Sequence, residues 1–152
     1  MANCGETEMY KGEFSHSIDA KGRITVPVKL RDELGDGFVI TKGLDGCLWM
    51  LDKEQWDKVE EMLLTMPQLT SKEARAFSRF MIAGACDGEV DKQGRLLIPA
   101  NLREHAGLTK DVVFSGVGSR VEIWDKSRYD AINEDVDIDA ITAKLVEQGL
   151  RI

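Results

Sequence analysis

Two stretches of the chain carry the same order of polar and apolar positions. Residues 19–35 and 91–107 share Asp, Gly, Arg, Pro, Leu, Arg and Gly at the same spacing, 72 positions apart. In each stretch a polar turn precedes a short aliphatic segment, which predicts a strand. Apolar residues four apart then predict a short helix. The pattern therefore indicates one supersecondary unit, a hairpin turn followed by a strand and a helix, that is used twice.

Each part of this unit has a local physical basis. Gly22 and Gly94 supply the positive φ that closes a three-residue loop with a bulge. The aliphatic segments 24–26 and 96–98 suit a buried strand. A proline fits the first turn of the helix that follows, and a glycine can end that helix. These bounding residues are Pro27 and Gly35 in the first unit and Pro99 and Gly107 in the second.

The apolar pattern also predicts the elements around the two units. Alternation over 13–18 indicates a half-buried strand that leads into the first turn. Asp52 is expected to cap a helix over 53–65, and Thr70 with Glu73 forms a capping-box pattern that predicts a second helix. Further strands are predicted at 37–43, 47–51, 112–115 and 120–124, and further helices at 126–133 and 138–148.

These elements divide the chain into five predicted segments. The fold class is α+β, because strands and helices are mixed around the two repeated units. The segments are a disordered N-terminal extension at 1–8, a first repeat with its helix at 9–68, a connecting helix at 69–83, a second repeat at 84–130 and an acidic helical tail at 131–152.

Composition narrows the class of protein. With 43% hydrophobic and 31% charged residues among 152, the chain is typical of a globular protein. No apolar run reaches 18 residues, which disfavours a membrane span, and the first residues lack the basic start and apolar core of a secretory signal, so we expect a cytoplasmic protein. Cys4, Cys47 and Cys86 show no paired spacing, so neither disulfides nor a zinc site is expected, and no cofactor is predicted.

The net charge of −7 argues, taken globally, against a nucleic-acid partner. The acids are concentrated, however, because residues 122–152 hold eight acidic and only four basic side chains. The two repeated stretches, 19–35 and 91–107, each carry a net charge of +1. Local charge decides where a polyanion docks, so the repeated turns remain candidates for binding one.

No catalytic constellation emerges from the spacing of reactive residues. The acids Asp87, Glu89 and Asp91 alternate as in a calcium loop, but the glycine and the final glutamate of such a loop are missing. His16 and His105 have no serine or cysteine partner at a meaningful spacing. An enzyme is therefore disfavoured.

The repeated turns allow two interpretations. In the structural one, Asp19 and Asp91 accept backbone N–H bonds while an arginine faces each aspartate across the hairpin. In the functional one, basic side chains at the turns and on the following helices meet DNA, since a two-stranded ribbon fits the major groove and arginine suits guanine edges and phosphates. The candidate DNA-binding residues are Lys21, Arg23, Lys29, Arg31, Lys92, Arg95 and Arg103.

The two motifs Asp19-Ala-Lys-Gly-Arg23 and Asp91-Lys-Gln-Gly-Arg95 resemble the Asp-x-x-x-Arg signature that the MraZ family carries once in each half. The segment Gly-Glu-Phe-Ser-His-Ser at 12–17 is similar to the start of that family. The resemblance runs from about residue 9 to the end and extends more broadly to the AbrB-like swapped-hairpin DNA-binding folds.

The resemblance implies two tandem AbrB-like repeats that interlock into one intramolecular swapped-hairpin β-barrel with flanking helices. It also implies a transcriptional regulator, usually a repressor, of the bacterial division and cell-wall gene cluster. Such a protein would bind short repeats in double-stranded promoter DNA, including its own promoter, as a nucleoid-associated homo-oligomeric ring of eight or more subunits. The rival class is a structural or antitoxin-like module of the same fold that binds a protein partner.

Overall fold

A computed structural model of the chain describes residues 9–152; the predicted extension at 1–8, with Cys4, lies outside the described residues. Eight strands and six α-helices follow one another in this part. The strands are β1 (Tyr10–Ser17), β2 (Arg23–Thr25), β3 (Val39–Lys42), β4 (Leu48–Leu51), β5 (Cys86–Asp87), β6 (Arg95–Leu97), β7 (Asp111–Gly118) and β8 (Val121–Asp125). The helices are α1 (Val28–Leu34), α2 (Lys53–Leu64), α3 (Lys72–Ser78), α4 (Ala100–Ala106), α5 (Lys126–Glu134) and α6 (Ile138–Glu147).

The repeated unit forms as the sequence predicts. Gly22 and Gly94 have φ of 88° and 79°, and each closes its turn by donating to the carbonyl of the aspartate that opens it. Helices α1 and α4 start directly after Pro27 and Pro99. The predicted apolar faces of these helices are buried: Leu30, Leu34, Leu102 and Ala106.

The two repeats exchange their leading strands. The main sheet is antiparallel, with strand order β1-β7-β8-β4-β3-β5. Strand β1 of the first repeat therefore pairs with β7 of the second, and β5 of the second repeat pairs with β3 of the first. Strands β2 and β6 pair with each other in a separate two-stranded sheet, with Ile24 opposite Leu96. Equivalent residues thus meet across a pseudo-twofold axis.

The main hydrophobic core lies between the six-stranded sheet and the two units. It holds buried side chains from both repeats, including Ile24, Leu96, Met50 and Ile123. Helix α2 covers the opposite face of the sheet through Trp56, which packs with Val39 and Leu51. One core therefore joins the repeats into a single folded unit.

The swapped-hairpin barrel is not confirmed, because the six-stranded sheet is open. Strand β5 has only two residues, and its ladder with β3 ends at the Val39–Asp87 pair. Beyond it, Val90 makes only an isolated bridge to Leu96. Within residues 9–152 the sheet therefore does not close on itself.

The predicted capping box at Thr70 and Glu73 is wrong. Ser71 caps helix α3 instead, because its side chain accepts a hydrogen bond from Ala74 N at 3.0 Å. The predicted helix cap at Asp52 is confirmed by a 2.8 Å bond from Gln55 N. Helix α3 then continues into a π-helical turn at Arg79–Ala83.

In the described part of the chain, no helix is long and apolar enough to cross a membrane.

Candidate nucleic-acid interface

Each hairpin turn is built around its aspartate. Asp19 Oδ1 accepts hydrogen bonds from the backbone N–H groups of Lys21 (3.0 Å) and Arg23 (2.8 Å), and Arg23 Nε donates to Asp19 Oδ2 at 3.0 Å. The second turn repeats this set on Asp91, with bonds of 2.9, 2.9 and 3.0 Å. The structural interpretation of the two aspartates therefore agrees with the geometry of both turns.

These hydrogen bonds change the acidity of the two aspartates. The pKa of Asp19 lies below its ordinary value of 3.8, first because of the hydrogen bond from the Arg23 backbone and then because of the Arg23 side chain. The pKa of Asp91 is lowered in the same way by Arg95. Both carboxylates are therefore ionised at neutral pH. Each holds the Nε atom of its arginine by a charged hydrogen bond.

The arginine side chains remain partly exposed on one face of the β2–β6 ribbon. Arg23 pairs with Leu97 and Arg95 with Thr25, so all four side chains share the face opposite the buried Ile24–Leu96 pair. Only the Nε atoms of the two arginines are engaged within residues 9–152, which leaves their terminal Nη atoms for a ligand. We call this surface of Arg23, Thr25, Arg95 and Leu97 the ribbon face.

The helix arginines cross between the repeats, which the sequence did not predict. Arg31, on the helix after the first turn, lies against Gly94 of the second turn. Arg103, on the helix after the second turn, lies against Gly22 of the first and donates from Nε to the Ile98 carbonyl at 2.9 Å. Both arginines are half-buried, so each packs against the turn of the opposite repeat and keeps part of its side chain at the surface.

The lysines among the predicted site residues are exposed and spread apart. Lys21 and Lys92 stand at the two turns, which lie at opposite ends of the antiparallel ribbon, and Lys29 lies on α1. The ribbon therefore carries an arginine at each end and a lysine in the turn beyond it.

Two further features join residues of both repeats; sequence reasoning considered Glu89 only among the acids before the second turn and gave Arg120 no role. Glu89 borders a hollow that Arg23 and Arg95 also line, which places an acid beside the ribbon face. On the far side of the sheet, Arg120 lies 4.3 Å over the Trp49 ring and bonds to Glu122 at 2.9 Å. Only the strand register reveals either cluster, since their members come from different repeats.

The comparisons with known proteins agree with the repeated turns. A family model described as "MraZ protein, putative antitoxin-like" matches the chain twice, over residues 9–80 and 81–148. The chain is 55% identical over 130 residues to the transcriptional regulator MraZ of Thermoanaerobacter pseudethanolicus, which covers 86% of this chain and 90% of that protein. It is 53% identical over 143 residues to the transcriptional regulator MraZ of Clostridium beijerinckii, over 93% of this chain and all of that protein. The chain therefore belongs to the MraZ family.

Proposed function

We propose that this protein is a sequence-specific DNA-binding transcriptional regulator that contacts promoter DNA through the ribbon face. The observation that carries the proposal is the position of Arg23 and Arg95 on one exposed face of a two-stranded ribbon. Their Nε atoms are held by Asp19 and Asp91, so both guanidinium groups are oriented before DNA arrives. Preorganised arginines lose less conformational freedom on binding.

The dimensions of the ribbon support major-groove binding. A two-stranded ribbon fits that groove, and arginine can donate two hydrogen bonds to a guanine edge. Diagonal partners in a strand pair lie about 7–8 Å apart, so the two arginines can reach neighbouring base pairs or phosphates. Lys21 and Lys92, at the ends of the ribbon, then meet the backbone, and Lys29, Arg31 and Arg103 add positive charge beside it.

The weak local charge favours an assembly of several copies. Each repeated stretch has a net charge of only +1, and affinity for DNA grows with the number of phosphates neutralised. Linking several copies raises the effective concentration and multiplies affinity by about 10² or more. We therefore propose a ring of eight or more subunits that binds short promoter repeats, including its own promoter. It would act as a nucleoid-associated repressor of the division and cell-wall gene cluster.

Fluorescence anisotropy on the DNA upstream of this gene, compared with scrambled DNA, tests the proposal. Arg23→Ala is expected to abolish promoter binding while the fold persists, because one lost contact costs about 1–3 kcal/mol in every subunit. Glu54→Gln, on the first turn of α2, serves as a folded control. Unchanged binding by a folded Arg23→Ala variant would place the site elsewhere.

A second candidate is an antitoxin-like module, which the description of the family model favours. Here the ribbon face would bind an acidic protein partner, and DNA only incidentally. Gel filtration combined with the binding assay separates the two functions. A protein that shows no preference for its upstream DNA over scrambled DNA would support the second.

A further inference from the structure

Helix α6 carries an apolar stripe that nothing in the described part of the chain covers. Ile138, Ile141 and Leu145 lie on one side of the helix and are 64%, 40% and 42% exposed. None of the residues of α6 is buried. A helix with such a stripe gains most of its stability by packing it against a partner.

The first repeat shows what the corresponding segment does when it is packed. After α2, helix α3 and the π-helical turn bury Ala74 and Met81 against the outer face of the sheet. Thr41 Oγ1, on β3, donates to the Met81 carbonyl at 2.6 Å, and Ile82 packs in the same cluster as Val59 of α2. Ala74, Phe77 and Met81 have the same spacing as the stripe of α6.

The equivalent surface on the second repeat is covered only in part: Tyr129 of α5 lies 3.3 Å from Ser115 Oγ, and apolar side chains beside it stay exposed. In the β3–β4 pair Thr41 lies opposite Trp49, and in the β7–β8 pair Ser115 lies opposite Glu122. Ser115 on β7 is therefore the counterpart of Thr41 on the covered part of β3. Val117, on the same face of β7, is 41% exposed. Ile132 is as far from its helix cap, Asp125, as Val59 is from Asp52, and it is 36% exposed. We call Val117, Ile132 and the intervening Tyr129 the receiving face.

We infer that α6 of one copy docks on the receiving face of a second copy, where it fills the place that α3 and the π-helical turn fill within the first repeat. Charge supports this occupant. Lys11 lies beside Val117 without an ion pair inside residues 9–152, and Asp139 and Glu147 of α6 are likewise unpaired there. Lys11 is the base that these acids would meet, while the one acid on the same face of β1, Glu13, is already engaged by the Tyr129 hydroxyl.

Donor and receiver are different surfaces, so the contact is heterologous. Head-to-tail contacts of this kind close into rings or extend into filaments. The inference thus rests on the ring assembly of the proposed function and names the surface that would build it.

Light scattering at micromolar concentration tests the contact. Ile141→Glu, on the donor helix, and Val117→Glu, on the receiving face, should each reduce the wild-type mass to that of one 17.0 kDa subunit. Leu64→Glu, an exposed leucine at the end of α2, is the matched control and should keep the wild-type mass. All three changes are at exposed positions, and circular dichroism verifies the fold.

Mixing the two dissociated variants is the decisive step. The Ile141→Glu copy keeps its receiving face and the Val117→Glu copy keeps its helix, so the mixture should form a two-subunit species. A mixture that stays at one subunit, a wild-type monomer, or equal dissociation of the control would overturn the inference. Binding to the upstream DNA is measured in parallel. If the variants dissociate as expected but the wild-type protein shows no preference for this DNA, the proposed function alone is refuted. Variants of full mass with normal promoter binding would refute the docking alone.

Discussion

The guanidinium group of Arg31 occupies the space that a Cβ on Gly94 would need, although the two residues belong to different repeats. Arg103 has the same relation to Gly22. Each turn is therefore held by hydrogen bonds to its own aspartate, and an arginine from the opposite repeat packs against it. Each glycine therefore has two roles: it adopts the positive φ of the turn, and its missing Cβ leaves room for that arginine.

Replacing Gly22 with alanine should destabilise the protein by about 1–3 kcal/mol. Its φ is 88°, and a Cβ would lie 2.8 Å from Arg103 Nε and 2.9 Å from the backbone oxygen of Ile98. Gly37→Ala is the matched control, because Gly37 also has positive φ but nothing within 4 Å of its Cβ position. Urea unfolding gives both losses, and equal values would show that the close approach is not important.

Stability should depend on the charge of Asp19 in mildly acidic solution. Its folded pKa is lowered from 3.8, so the carboxylate stabilises the fold above its unfolded pKa and loses that effect as the pH falls through the folded value. Asp19→Asn should therefore be less stable than the wild type at pH 7, and the difference should narrow below about pH 4. Urea unfolding across this range measures it. A constant difference would contradict the linkage, and Asp36→Asn, an exposed change outside both turns, is the control.

The repeated unit could be predicted from the sequence because its determinants are local. The turn glycines, the prolines before α1 and α4 and the leucines four apart act within a few residues of one another. The crossing of Arg31 to Gly94 could not be predicted, since it depends on which strands pair across 72 residues. The cap of α3 was missed because Thr70 and Ser71 both offer a hydroxyl, and only the backbone decides which one reaches Ala74 N.

Removing the charge of Glu89 should strengthen DNA binding at low salt. Glu89 borders the hollow that Arg23 and Arg95 line, so it repels phosphate at the ribbon face. Glu89→Gln is expected to raise affinity about two- to ten-fold at low ionic strength, with the gain fading as salt rises. Anisotropy titrations over a salt series measure it. A gain of the same size from Glu54→Gln, on α2, would show that only net charge matters.

The cluster around Arg120 should contribute to stability. Arg120 bonds to Glu122 and stacks on Trp49, and Trp124 Nε1 also donates to Glu122 at 2.9 Å. Arg120→Met keeps the aliphatic stem but leaves a largely buried carboxylate without its cation, which should cost about 1–3 kcal/mol. The double variant with Glu122→Gln should recover part of that loss in urea unfolding. Additive losses would mean that the two residues act independently.

The two turns should differ in their contribution to specificity, with the first contributing more. The segment before the first turn carries Ser15 and Ser17 where the second repeat has the acids Asp87 and Glu89. The hollow beside the second turn is also bordered by the acids Asp32, Asp36 and Asp91. Phosphate approaches the first turn against less repulsion, so Arg23 is better placed to reach base edges.

Arg95 is then expected to contact the backbone and set register. Arg95→Ala should weaken binding to operator and scrambled DNA alike and flatten the salt dependence by about one unit of slope. Arg23→Ala should instead reduce the ratio between the two DNAs by about ten-fold or more. Both arginines bond to the aspartate of their turn in the same way, so the two substitutions should lower the stability of the fold equally. Any difference between the two variants then reflects DNA binding. If Arg95→Ala erased discrimination while Arg23→Ala preserved it, the roles of the two turns would be reversed.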